Sequence, residues 1–145
     1  MKTVWLVVNG KRTISFEQFL TINSNLVPIS DTWSDLWALI FYTGLSVGRL
    51  ITLRYEDIGL NSLCLRERGR LKAMKLQLSS PSRALLHRRR ERYPRDVFVF
   101  QSHSNRVKNQ VGPVTVIAFN AALRRAGRVL PLRTVSSTSA RNVAI

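Results

Sequence analysis

Apolar positions along this chain change their spacing several times, and each change marks an element. "VWLVVNGKRTIS" (4–15) places two short apolar runs around Asn9-Gly10, the pattern of a β-hairpin. "SFEQFLTINSNL" (15–26) then sets Phe16, Phe19 and Leu20 on one side of a helix. From Thr32 the helical stripe is wide: Trp33, Leu36, Trp37, Ile40 and Phe41 recur at three- and four-residue intervals. Thr32 and Asp35 have the form of a capping box at its start, and Gly44 is placed to end it. "SVGRLITLR" (46–54) resumes a helix with Val47, Leu50 and Ile51 on one face.

Between 58 and 80 the period shortens to two. Leu63 and Leu65, then Met74, Leu76 and Leu78, alternate with polar neighbours, as in half-buried strands. Arg68-Gly69-Arg70 is the expected turn of this antiparallel pair. Ser80-Pro81 opens a helix carrying "RALLHRRRERY" (83–93), whose cluster Arg88, Arg89, Arg90 and Arg92 reads as mostly a solvated face. "DVFVF" (96–100) is a short strand or a core plug, and "QSHSNRVKNQVG" (101–112) a basic loop. A helix follows from Pro113 to Gly127, with Val114, Ile117, Ala118 and Ala121 expected inward. After a loop through Pro131, Ser136 or Ser137 caps the start of a last helix. Aromatics at these spacings indicate core packing rather than a base-stacking surface.

Composition adds one strong constraint. With 145 residues and 45% apolar content the chain suits a single domain, 1–145, with one core. Lys and Arg number 23 against 8 acids, a net charge of +15. Residues 1–45 are neutral, with Lys2, Lys11 and Arg12 balancing Glu17, Asp31 and Asp35. The whole excess therefore lies in 46–145, which points to a polyanionic partner, nucleic acid first. Cys64 is the only cysteine and His87 and His103 the only histidines, so neither a disulfide framework nor a metal centre is indicated, and no cofactor is expected. "TVWLVV" (3–8) is too short for a signal core, and "LWALIFYTGL" (36–45) too short for a membrane span. No membrane partner is expected.

Two boxes give this order of elements a family resemblance. Thr43, Gly44, Leu45, Leu50, Leu53, Tyr55, Asp57 and Ile58 match a motif Thr-Gly-Leu-Arg-x-x-Glu-Leu followed by Leu-x-Trp/Tyr-x-Asp-Ile. Near the end, Thr138-Ser139-Ala140-Arg141 stands where a His-x-x-Arg box would be. Over roughly residues 15–145 the chain resembles the catalytic domain of the tyrosine recombinases, the phage-integrase family. The resemblance implies an α+β fold: a mainly helical catalytic domain with a small antiparallel three-stranded sheet. The family's separate N-terminal DNA clamp and C-terminal helices are expected to be missing, exposing apolar faces near Val135 and Val143–Ile145.

It also implies a role for particular residues. In that family two arginines and a histidine hold the scissile phosphate, a hairpin lysine protonates the leaving oxygen, and a tyrosine attacks. Guanidinium forks suit this task because they bind phosphate oxygens bidentately and stay charged. Arg141 matches the second arginine. Ser46 occupies the first arginine position and Arg49 that of a buried Glu, so Arg49 either reaches the same pocket edge or is a DNA-facing base. Thr138 replaces the histidine. The lysine falls on Arg68 or on Lys72, depending on the alignment. None of Tyr42, Tyr55 and Tyr93 lies at the nucleophile position, which the family places well beyond its Arg box. The candidate catalytic set is thus Arg141, Lys72 and Arg49. The candidate DNA contacts are Arg68, Arg70, Lys75, Arg88, Arg89, Arg106 and Lys108.

The implied function is duplex-DNA binding in recombination or integration, as part of a mobile element, in the cytoplasm of a bacterium at nucleoid or plasmid, without strand cleavage by the chain itself. Full-length recombinase protomers or a second copy are the expected protein partners. Two alternatives remain at this point: an active recombinase completed by a partner chain, and a basic RNA-binding protein, which should show aromatics among its bases.

Overall fold

A computed structural model describes residues 6–8, 11–103, 111–128 and 135–144. The Asn9-Gly10 turn, the bases Arg106 and Lys108, the loop through Pro131 and Ile145 lie outside the described residues. The chain gathers into two compact units. One combines the residues up to Val47 with those from Thr115 onward, and the other is Gly48–Val114.

The first unit starts with β1 (Leu6–Val8), antiparallel to β2 (Lys11–Ser15). Ser15 ends β2 and caps α1 (Phe16–Leu26): its Oγ accepts from the Gln18 amide at 3.1 Å, while Gln18 Oε1 accepts from the Ser15 amide at 2.9 Å. This reciprocal box satisfies two of the donors that a helix start leaves open. α2 (Asp31–Thr43) is capped by Ser30, whose Oγ accepts from the Thr32 amide at 3.2 Å. The expected cap at Thr32 is therefore displaced by two residues, and Thr32 and Asp35 are buried inside the first turns. Phe19, Ile22 and Leu26 of α1 meet Leu36, Trp37 and Ile40 of α2 in the core. Trp37, fully buried, stacks on Phe19 with ring centroids 5.5 Å apart and donates Nε1–H to the Phe19 carbonyl at 3.1 Å.

α5 (Val116–Ala126) is also in this unit and begins on Thr115, whose Oγ1 accepts from the Ala118 amide at 3.1 Å, rather than on Pro113. Its inward face is Phe119, Ala122, Leu123 and Ala126, not the expected Val114, Ile117, Ala118 and Ala121; Ile117 is 82% exposed. The buried set keeps the i, i+3, i+4, i+7 spacing and includes the largest side chain, Phe119, which packs on Trp33 at 5.7 Å. Asn25 of α1 donates to the Ala126 carbonyl at 2.9 Å, which closes the helix end. The chain then returns through a 3₁₀ turn, Ser139–Arg141, to β5 (Val143–Ala144), which pairs parallel to β2 with Ile14 opposite Val143. This strand replaces the expected last helix. It also overturns the expected exposed apolar face: Val135 is buried and Val143 and Ala144 are ladder residues.

The chain passes into the second unit within α3 (Val47–Ile51), shorter than the 46–54 expected. A 3₁₀ turn, Tyr55–Asp57, leads to β3 (Ser62–Leu65), which pairs antiparallel with β4 (Met74–Gln77). Two strands form this hairpin; among the described residues the three-stranded sheet is β1-β2-β5, in the first unit, and it is mixed rather than wholly antiparallel. Gly69 has φ 56° at the first central position of the turn between Arg68 and Leu71, a conformation that favours glycine. α4 (Ser80–Arg92) is capped by Ser79, whose Oγ accepts from the Ser82 amide at 3.3 Å. Within 96–100, Val99 and Phe100 are fully buried and Phe98 makes a single bridge to Arg54, so the segment is a core plug rather than a strand. The result is an α+β, mainly helical fold with a small antiparallel sheet. Among the described residues, no helix is long and apolar enough to cross a membrane.

Candidate nucleic-acid interface

In the first unit the start of the first sequence box, Thr43-Gly44, meets the last box at Arg141. Thr43 hydroxyl donates to the Leu39 carbonyl at 2.7 Å and accepts from the Leu45 amide at 3.2 Å, which folds the chain back over the end of α2. Gly44 follows with φ 70°, left-handed, its amide donating to the Ile40 carbonyl at 2.8 Å. The Gly44 carbonyl receives Arg141 Nε–H at 2.8 Å, from 97 residues away. This carbonyl lies at the negative pole of α2, where a guanidinium is favoured.

Arg141 is well supported. The Ser136 amide donates to Ser139 Oγ at 3.1 Å, the Ser137 amide to Asn120 Oδ1 at 2.9 Å, and the Arg141 amide to the Thr138 carbonyl at 3.1 Å. Ala140 is buried beside it, and the Ile14 amide donates to the Asn142 carbonyl at 3.0 Å. With Nε committed to Gly44, the exposed terminal nitrogens Nη1 and Nη2 make no hydrogen bond among the described residues. Two parallel donors on a fixed stem suit the two oxygens of a phosphodiester.

Ser46, two residues beyond the Gly44 carbonyl, is half-buried and brings a neutral hydroxyl. Thr138 is exposed, with Oγ1 2.9 Å from Ser136 Oγ. Neither supplies a positive charge, and a threonine hydroxyl does not titrate near neutral pH.

The second unit holds the hairpin bases. Arg49 on α3 turns onto the hairpin: Nη2 donates to the Lys72 carbonyl at 2.7 Å and approaches the Arg66 carbonyl at 3.4 Å, and Nη1 lies 3.4 Å from Met74 Sδ. Arg68 Nη1 donates in the opposite direction, to the Gly48 carbonyl. Arg66, which the sequence did not single out, pairs with Asp57 at 2.9 Å and Glu56 at 2.7 Å. These bonds, Asp57 first, push the Arg66 guanidinium above its already high value. Nothing in the local pattern marks Arg66, because its acids lie in the turn before β3. With those acids occupied, the exposed side chains of Arg70, Lys72 and Lys75 carry no ion pair among the described residues.

The α4 cluster is not one solvated face. Arg89 is 1% exposed, and Nε donates to the Val99 carbonyl at 2.9 Å. Its guanidinium lies over the Tyr93 and Phe100 rings at 5.1 and 5.2 Å. Ser82, Leu85, Leu86 and Arg89 share the buried stripe at i, i+3, i+4, i+7, so the periodicity itself turns Arg89 inward. Arg89 is a core residue of this unit and is removed from the candidate DNA contacts. Arg90 donates Nη1 to the Asp96 carbonyl at 2.7 Å and covers the Tyr55 ring at 4.5 Å. Arg88 remains exposed.

The tyrosines have other surroundings. Tyr93 stacks on His103 at 4.5 Å, and His103 Nε2 lies 2.8 Å from the carboxylate of buried Asp96. The Tyr55 hydroxyl is buried beside the Arg89 side chain. Burial raises its pKa above 10.0; the nearby Arg89 charge opposes this, Asp96 adds to it and Arg90 opposes it.

No family model and no curated protein sequence matches the chain. Solved structures do resemble it. The lambda integrase catalytic core superposes with TM-score 0.73 at 14% identity, covering 90% of this chain and 79% of that one. A lambda integrase dimer bound to a COC′ core site gives 0.70 at 14% identity over 97% of this chain, and the XerH site-specific recombinase bound to difH gives 0.64 at 18% over 90%. In each of these two longer proteins the chain spans 40% of the length. The fold of this chain is that of the lambda integrase catalytic core and the Xer recombinases.

Proposed function

We propose that this chain is an integrase-type DNA-binding module that seats a backbone phosphate on Arg141 and does not cleave the strand by itself. The observation that carries the proposal is the Arg141 clasp on Gly44, which leaves Nη1 and Nη2 of an exposed guanidinium without a hydrogen bond among the described residues. Exposed Arg70, Lys72 and Lys75 on the second unit, which carry no ion pair among the described residues, and exposed Arg88 supply further contacts to the polyanion. Ser46 and Thr138 argue against cleavage. The family resemblance puts an arginine and a histidine there, and loss of one well-placed donor costs ~100- to 1000-fold in rate. The lambda integrase structures include a dimer bound to a core site and a tetramer bound to a Holliday junction, which favours self-association on DNA for this chain as well.

The test pairs two assays on the 145-residue chain. Incubation with a nicked suicide duplex should leave no covalent protein–DNA band, although the same duplex is shifted in a native gel. A covalent band would overturn the non-cleaving assignment. Preference for structured RNA over duplex in direct competition would overturn the choice of DNA.

A further inference from the structure

Arg49 stands where the family resemblance places a buried Glu, and its surroundings explain what an arginine achieves there. The Lys72 carbonyl, 2.7 Å from Nη2, belongs to the segment leading into β4; the Arg66 carbonyl, 3.4 Å away, belongs to the segment leaving β3. One guanidinium thus touches both legs of the hairpin, on either side of its turn at Gly69-Arg70. The 2.7 Å bond is the strong one, and the 3.4 Å contact is at the edge of useful geometry. From the other side, Arg68 at the hairpin tip donates to the Gly48 carbonyl, the residue before Arg49. Helix and hairpin therefore hold each other by two arginines donating in opposite directions. A carboxylate at position 49 has only acceptors to offer, and would face two carbonyl oxygens.

We infer that Arg49 is a positioning residue: it pins the β3–β4 hairpin to α3 so that Arg70, Lys72 and Lys75 are presented in a fixed arrangement before any ligand arrives. Its effect on DNA acts through Lys72, whose main-chain oxygen it holds, and not through a phosphate of its own. This rests on the proposed DNA-binding function for its purpose, but the clasp itself exists in the free protein. Holding the hairpin in advance removes an ordering cost that binding would otherwise carry.

The experiment is amide hydrogen exchange of residues 66–74 in the free chain, followed by salt-titrated binding to duplex DNA, for the wild type, Arg49→Lys, Arg49→Gln and Arg49→Glu. Loss of a hydrogen bond made by a charged donor should raise exchange in the hairpin by at least about tenfold in Arg49→Gln. Arg49→Glu should raise it further. Lysine keeps the charge but not the fork, so Arg49→Lys should also lose protection. DNA affinity should fall in all three, with the slope of log K against log salt unchanged. If hairpin exchange is the same in wild type and Arg49→Gln, the clasp does not hold the hairpin and the inference fails. If the slope becomes less negative by about 0.9 in Arg49→Gln and is restored in Arg49→Lys, Arg49 contacts a phosphate directly and the inference also fails. Exchange is read without DNA, so loss of hairpin protection in a chain that does not bind duplex would leave the clasp standing and overturn only the DNA-binding function. Arg68→Ala, which cuts the reciprocal bond, should loosen the same residues and serves as the second variant should an Arg49 substitution fail to fold.

Discussion

Replacing Arg89 by alanine separates a core arginine from a ligand-binding one. The side chain is 1% exposed, donates to the Val99 carbonyl and lies over two aromatic rings. Truncation leaves that carbonyl without its donor, costing about 1–3 kcal/mol. It also removes cation–π contacts of roughly 0.5–2 kcal/mol each and leaves a cavity where the stem packed. These terms overlap, so a total near 3–5 kcal/mol is the reasonable figure, as for other broken buried charge networks. At a few degrees per kcal/mol for a chain of this size, the melting temperature should fall by about 10 °C. Arg89→Met, which refills the volume, should recover part of the loss. Arg88→Ala, on the exposed side, should change stability by no more than about 0.5 kcal/mol. Thermal unfolding followed by circular dichroism, checked against urea titration, reads all three. An Arg89→Ala melt within about 2 °C of wild type, combined with weakened DNA binding, would show that Arg89 faces ligand after all.

Other expectations follow from single contacts. Tyr55 has its pKa raised in the folded state. The unfolded chain therefore loses this proton first, and stability should decline as pH rises above about 10. Tyr55→Phe should flatten that decline in urea midpoints measured across the alkaline range. Gly44→Ala meets no atom within 4 Å but must hold φ near 70°, so it should destabilise by about 1–2 kcal/mol in a urea titration. Since the carbonyl that holds Arg141 remains, DNA affinity of the folded fraction should persist. Trp37→Phe removes the indole bond to the Phe19 carbonyl, which keeps its acceptor role within α1, and should cost about 0.5–1.5 kcal/mol for that bond by the same titration, with no change in DNA affinity.

Local pattern carried the elements further than it carried their partners. The stripe of α2 and the hairpin with its Arg68-Gly69-Arg70 turn depend on neighbours within a few residues and were legible, as was the start of α4 apart from its cap, which is Ser79 rather than Ser80. Ser30 and Thr32 are both good caps by residue type; the choice was made by which residue adopts extended backbone. In α5, Ile117 and Phe119 each begin an apolar stripe, and packing on Trp33 decided for Phe119. β5 is two residues long and pairs with a strand from the other end of the chain, so it leaves no periodicity to read. Arg89 was misjudged because charge was weighed above position, although the spacing from Ser82 already placed it inward. Arg141 is a candidate through its box alone, whereas its anchor on Gly44 needed the fold.

In the proposed function, guanidinium and ammonium groups of this chain, Arg141 foremost, neutralise DNA phosphates. This is tested most directly by binding a labelled duplex over a range of salt concentrations, for the wild type and Arg141→Ala. With about eight phosphates contacted, log K against log salt should slope near −7, and Arg141→Ala should make the slope less negative by about 0.9. A wild-type slope near zero, or a slope that Arg141→Ala leaves unchanged, would contradict the account.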